Sequence, residues 1–148
     1  MKNILDLTVQ YSASNDLLLE ATLEGLNGLA SILEDNLEET QCKLLIPVEP
    51  VAKSYEGFLT DLHIVKGNGT LKIYRNHNVL VISGSPSNCS ILAANLNFLQ
   101  EEALSQPQLQ SVLHWHIEYF PDHPYLDPVS EPAVVYIKTL RQDAGLTL

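Results

Sequence analysis

The order of apolar runs in this chain repeats once, and that repetition restricts the fold more than any single motif does. Leu5, Leu7, Val9 and Tyr11 alternate with polar or small neighbours, as in a half-buried strand. The polar turn S-A-S-N-D leads to a second apolar run, residues 17–21. Thr22 then stands where a helix cap belongs, followed by Leu23, Leu26, Ala30, Leu33 and Leu37 at spacings that place them on one helical face. Gly25 and Gly28 fall inside this helix and are expected to weaken its first turns. The same order returns at residues 70–75 and 79–83, two strands joined by a tight turn at Asn76-His77-Asn78. Ser85 is the next cap, with Pro86 in the first helical position, where its missing N–H costs nothing. The second helix carries the stripe Leu92, Leu96, Leu99 and Ala103. Aligning Thr22 with Ser85 also aligns Leu29-Ala30 with Leu92-Ala93 and Leu33 with Leu96.

After each helix comes a strand that runs into P-x-x-P: residues 43–46 before Pro47 and Pro50, and residues 113–120 before Pro121 and Pro124. Final strands are expected at 58–65 and 133–140. The reading is therefore α+β, with two tandem β-β-α-β-β units at 1–68 and 69–143, the first degenerate. They form one pseudo-two-fold domain of mostly antiparallel sheet and two helices. One such unit leaves a sheet face that a single helix cannot cover, so two packed together bury what each exposes. Gly67-Asn68-Gly69 reads as the hinge between them.

Composition narrows the function. Hydrophobic residues make up 45% and charged residues 18%, which is globular rather than disordered. The formal charge of −10, without any cluster of Lys and Arg, argues against nucleic acid and anionic membrane as partners. A basic protein partner fits better, because opposite charge speeds encounter. Cys42 and Cys89 form no C-x-x-C motif, so neither a disulfide scaffold nor a cysteine zinc site is expected. Residues 1–10 lack the character of a signal peptide, and no apolar run is long enough to span a membrane, so a cytoplasmic location is expected.

The most unusual stretch is H-W-H-I-E-Y-F-P-D-H-P-Y-L-D-P, residues 114–128. On a strand His114, His116 and Glu118 share one face, with Trp115, Ile117 and Tyr119 on the other, turned to the core. Asp122, His123, Tyr125 and Asp127 follow on a proline-stiffened loop, where Tyr125 or Phe120 would supply an exposed aromatic anchor for a partner. His114, His116, Glu118, Asp122, His123, Tyr125 and Asp127 are the candidate partner-binding residues. His114, His116 and His123 are also candidate metal ligands, since H-x-H on a strand can offer two imidazoles to one cation. The same three histidines would serve a small metal-dependent or histidine-assisted enzyme. No nucleophile motif accompanies them, helix capping accounts for Ser85, and no cofactor is expected. An interaction domain with an unspecified partner is a third reading.

The second half resembles small immunity proteins that accompany bacterial polymorphic toxins. The residues carrying the resemblance are V-L-V-I-S-G-S (79–85), the helix with Leu92-Ala93, H-W-H-I-E-Y-F and Y-L-D-P-V-S-E-P-A-V-V-Y-I (125–137). In that pattern a G-S step opens the helix, an H-x-H-x-E strand follows, and a loop ending in L-x-x-x-S precedes the last apolar strand. Gly84-Ser85, His114, His116, Glu118, Leu126 and Ser130 occupy those places. The chain departs from the pattern in carrying a further half whose equivalent segment, K-L-L-I-P-V-E-P, has no histidine. The resemblance implies a non-enzymatic inhibitor that binds a toxin domain, a basic one for so acidic a chain.

Overall fold

The computed structural model describes residues 4–48, 53–109 and 112–138. In chain order the elements are β1 (Ile4–Leu5), β2 (Leu7–Ser12), β3 (Leu17–Ala21), α1 (Leu23–Glu34), β4 (Glu39–Leu44), β5 (Tyr55–Leu59) and β6 (Asp61–Lys66). Then follow β7 (Lys72–Asn76), β8 (Val79–Gly84), α2 (Pro86–Ser105), a 3-10 turn at Pro107–Leu109, β9 (His114–Ile117) and β10 (Ala133–Ile137). The class is α+β, as expected, with two helices and two mixed five-stranded sheets.

Neither sheet belongs to one half of the chain. The first has the order β1-β4-β6-β8-β7 and the second β5-β2-β3-β10-β9. In the first, β4 and β6 are antiparallel, β6 and β8 parallel, and β8 and β7 antiparallel. In the second, β9 and β10 are antiparallel, β10 and β3 parallel, and β3 and β2 antiparallel. Each sheet thus joins the opening hairpin of one half to the closing strands of the other, and the join is a parallel pair.

The chain passes between the sheets at two bends. Asp6 separates β1 from β2, and Thr60 separates β5 from β6. At this corner Leu45 N–H donates to the Leu7 carbonyl (3.0 Å) and Leu44 N–H to the Thr60 carbonyl (2.9 Å). Strands that switch sheets through such bends make corners without leaving buried amides unpaired. The expected strand over 58–65 is therefore two strands, and that over 43–46 begins earlier, at Glu39. The strand over 113–120 ends at Ile117. Pro50 and the end of the strand over 133–140 lie outside the described residues.

Both helices begin where the caps predict. Thr22 Oγ1 accepts from Gly25 N–H (3.0 Å) and donates to Asp6 Oδ2 (2.7 Å), while Ser85 Oγ accepts from Asn88 N–H (3.2 Å). Gly25 and Gly28 do not fray α1, contrary to expectation. A Cβ on Gly25 would lie 1.9 Å from the Asp6 carbonyl oxygen, and one on Gly28 would touch Leu5. The glycines let the helix lie against the bend at Asp6, so packing overrides propensity. Leu26, Leu29, Ala30 and Leu33 are buried, but Leu37 is past the helix end and 59% exposed, which removes it from the expected stripe. Lys66 closes the C-terminus of α1: its ammonium donates to the carbonyls of Ile32 (2.8 Å) and Asp35 (2.6 Å) and to Asp35 Oδ1 (2.9 Å). This bond holds the Asp35 carboxyl below its ordinary pKa. A cation is favourable at a helix C-terminus, and here all three of its protons are used.

In α2 the stripe Leu92, Leu96, Leu99 and Ala103 is buried as expected. The helices pack on each other, and one apolar cluster takes residues from both helices and both sheets. Leu96→Ala should lower the free energy of unfolding by about 2–5 kcal/mol. Gly25→Ala should be strongly destabilising although alanine is the better helix former, with the exposed Asn27→Ala near neutral; urea unfolding of the three variants checks both.

Candidate functional site

Strand β9 is an edge of the second sheet, paired only with β10. Its register sets His116 beside Val134 and His114 beside Tyr136. The phase is the expected one: His114, His116 and Glu118 are exposed, Ile117 is buried, and Trp115 is half-buried against the core. Tyr119 departs from it. The strand has ended before Tyr119, which is 39% exposed.

The rings of His114 and His116 lie 5.0 Å apart, centroid to centroid, edge to face. His114 also stacks on Tyr136 at 5.1 Å. Its Nδ1 lies 2.9 Å from the Val112 carbonyl, which can only accept, so the contact is a hydrogen bond in which Nδ1–H donates. An open concavity of about 220 Å³ lies beside the row, lined by His116 and Glu118 together with Asp16 and Tyr55 from the first half.

The loop residues divide. Pro121 and Asp122 occupy a turn closed by His123 N–H to the Phe120 carbonyl (2.9 Å), with Asp122 exposed at a positive φ of 66°. His123 turns inward. Its Nδ1 accepts from the N–H groups of Tyr125 (3.2 Å) and Leu126 (3.0 Å), and its ring lies against Phe120 and Tyr125. Tyr125 corrects the sequence reading most. It is 6% exposed, with its hydroxyl accepting from Asn95 Nδ2 (2.8 Å), so it belongs to the core and not to an exposed anchor. Phe120, the other anchor proposed from sequence, is 54% exposed. Asp127 accepts from Val129 N–H (3.0 Å) and Thr70 Oγ1 (2.8 Å), bonds that hold its carboxyl below the usual range. It ties the loop to the start of β7.

Of the seven candidates, the structure leaves His114, His116, Glu118 and Asp122 as an outward group, and uses His123, Tyr125 and Asp127 to build the loop. Among the described residues no group of three or more His, Cys, Asp and Glu is placed to hold a metal ion. His123 lines an open concavity of about 400 Å³ together with His116 and Glu118, but its Nδ1 is committed to the backbone N–H groups of Tyr125 and Leu126. Cys42 and Cys89 are free and buried, and burial raises both thiol pKa values.

Sequence reading missed the far side of β9. Ile91, Asn95, Phe98 and Glu102 recur at helical spacing on α2, outside the buried stripe, and Phe98 is 62% exposed. Asn95, Phe98 and Glu102 line a hollow of about 130 Å³ with His114 and Trp115. An apolar residue off the core stripe was the available signal.

Residues 79–138 match the family model of immunity protein 32. The match runs from β8 to just past β10 and so contains α2, the histidine row and the whole loop. The resemblance read from the second half is therefore the one that the family comparison finds. No curated protein and no solved structure matches the chain. No helix among the described residues is long and apolar enough to cross a membrane.

The environment of His123 has a consequence for pH. Burial lowers its pKa, and the neutral ring accepts two backbone amides. As pH falls, the unfolded chain takes up this proton first, so the ring's contribution is full above about pH 6.5 and declines as pH drops through the folded value. His123 should titrate below the free imidazole value by NMR, and His123→Ala, leaving two amides unpaired, should cost about 1–3 kcal/mol at pH 7.5.

Proposed function

We propose that the protein is a non-enzymatic immunity protein, which binds and inhibits a cognate bacterial toxin domain in the cytoplasm of the producing cell. The observation that carries this reading is the coincidence of the family match with a polar row turned outward on an edge strand: His114, His116 and Glu118 all fall inside residues 79–138. The exposed Asp122 and Phe120 extend the same surface. A net charge of −10 favours a basic toxin, whose approach it would accelerate. Tyr125 and Asp127 act indirectly, by fixing the loop.

The two-unit organisation belongs to the same reading. Residues 1–68 and 69–143 are two copies of one β-β-α-β-β unit, supported by strand orders that run β4-β6-β8-β7 in one sheet and β9-β10-β3-β2 in the other with the same senses. Because each sheet needs strands from both, fragments 1–68 and 69–148 should each be unfolded by circular dichroism and regain structure when mixed.

Co-expression with the toxin domain encoded beside this gene tests the function. The chain should rescue growth and co-purify with the toxin. Paired substitution of His116 and Glu118 by Ala should weaken the complex at least several-fold without lowering thermal stability. A wild-type chain that neither binds nor protects would overturn the reading.

A further inference from the structure

The direction of the backbone in β10 fixes which groups β9 turns outward. Lys138 N–H donates to the Ala21 carbonyl (2.7 Å), and Leu17 N–H donates to the Pro132 carbonyl (2.8 Å). Backbone groups alternate in direction along a strand, so Pro132, Val134, Tyr136 and Lys138 turn theirs towards β3. Ala133 and Val135 must turn theirs towards β9, where they face Ile117 and Trp115. It follows that His114 and His116 point both N–H and C=O away from the sheet. Among the described residues nothing hydrogen-bonds to these groups.

The strands β4, β2 and β7 are each covered on the outer side by the chain itself, which leaves β1 and β5 outermost at their ends. Strand β4 receives β1 in parallel, and β2 receives β5. Strand β7 receives the loop between β9 and β10: Leu71 N–H donates to the Tyr125 carbonyl (2.8 Å), Asp127 N–H to Leu71 (2.7 Å) and Glu131 N–H to Ile73 (2.8 Å). By strand order β9 stands where β4 stands in the other sheet, and β4 is the strand that accepts an added one.

The surroundings specify what would be added. No Lys or Arg occurs between Arg75 and Lys138, while Glu101, Glu102, Glu118, Asp122, Asp127 and Glu131 do. Glu102 and Glu118 lie in the hollows on the two faces of β9. Exposed Phe98 and Phe120 flank Trp115. Proteins that keep an edge strand unpaired commonly place Lys on it, and this edge has none.

We infer that the outer edge of β9 receives an extended, Lys- or Arg-bearing segment of the toxin as an added strand, which bonds the backbone of His114 and His116. Main-chain bonds would give the affinity, and the two glutamates and the aromatic flanks would choose the side chains. This rests on the immunity reading above and adds a mode of contact to it. A second copy of the chain fits less well, because it would set two acidic edges against each other.

The test uses the complex with the toxin domain encoded beside the gene. On binding, the amides of His114 and His116 should exchange with solvent at least roughly tenfold more slowly by NMR, while Trp115 and Ile117, already bonded to β10, change little. His116→Pro removes an outward donor and should weaken binding by roughly tenfold or more, against a smaller loss in His116→Ala, which keeps it. Raised salt should weaken the wild-type complex, and Glu102→Gln with Glu118→Gln should reduce that salt dependence. A complex that forms with both amides exchanging at their free rates would remove strand addition and leave the immunity reading standing. No complex at all would remove both. Slowed exchange of the same amides in the isolated chain as its concentration rises would assign the edge to self-association and overturn the inference.

Discussion

Leu62 and Ile64 of β6 lie beside Leu80 and Ile82 of β8, and Leu17 and Leu19 of β3 lie beside Ala133 and Val135 of β10. All eight are buried. These two parallel pairs are the seams along which the halves of the chain meet, and every other element is placed by them. A parallel pair cannot be closed by a tight turn, so its strands must be brought together from distant parts of the chain. The seams are therefore costly in chain entropy and depend on the apolar surface they remove from water. Helices α1 and α2 add Leu26, Leu29, Leu33, Leu92, Leu96 and Leu99 to the same apolar cluster.

The exposed row on β9 inherits its rigidity from the same seam. His114 and His116 are held at fixed spacing because Trp115 and Ile117 are tied to β10, which is tied to β3. The long loop after β9 would be a poor platform by itself. It is made firm by His123, which accepts two of its amides, by Tyr125 buried beneath it, and by Asp127 and Ser130 bonded to the strand and loop around β7. Residues that looked like contacts in the sequence are, in part, the supports of the contacts.

Helix positions were legible because a 3.6-residue period and a cap are local signals: Thr22, Ser85 and the Leu92–Leu96–Leu99 stripe all behave as their spacing requires. The face of β9 that carries the histidines was legible for the same reason, from a period of two. What escaped depends on distant pairs. Nothing near Asp6 or Thr60 announces that the chain changes sheets there. Gly25 reads as a weak helix former until the Asp6 carbonyl is found beside it. Tyr125, set among prolines and acids, looks exposed, and only Asn95 on α2 explains why it is not. Phe98 was visible as an off-stripe apolar residue, but its neighbour Trp115 was not.

The covering of β7 by the chain's own loop bears on stoichiometry. Two five-stranded sheets have four ends, and strand edges open at several ends allow molecules to link one to the next without limit. Here β1, β5 and the segment from Tyr125 to Glu131 occupy three of the four comparable positions, and β9 keeps the fourth. On those sides β1 and β5 are the outermost strands in turn, so the two ends of each sheet differ in what they offer, and at β9 the strand that carries the histidines is itself the edge.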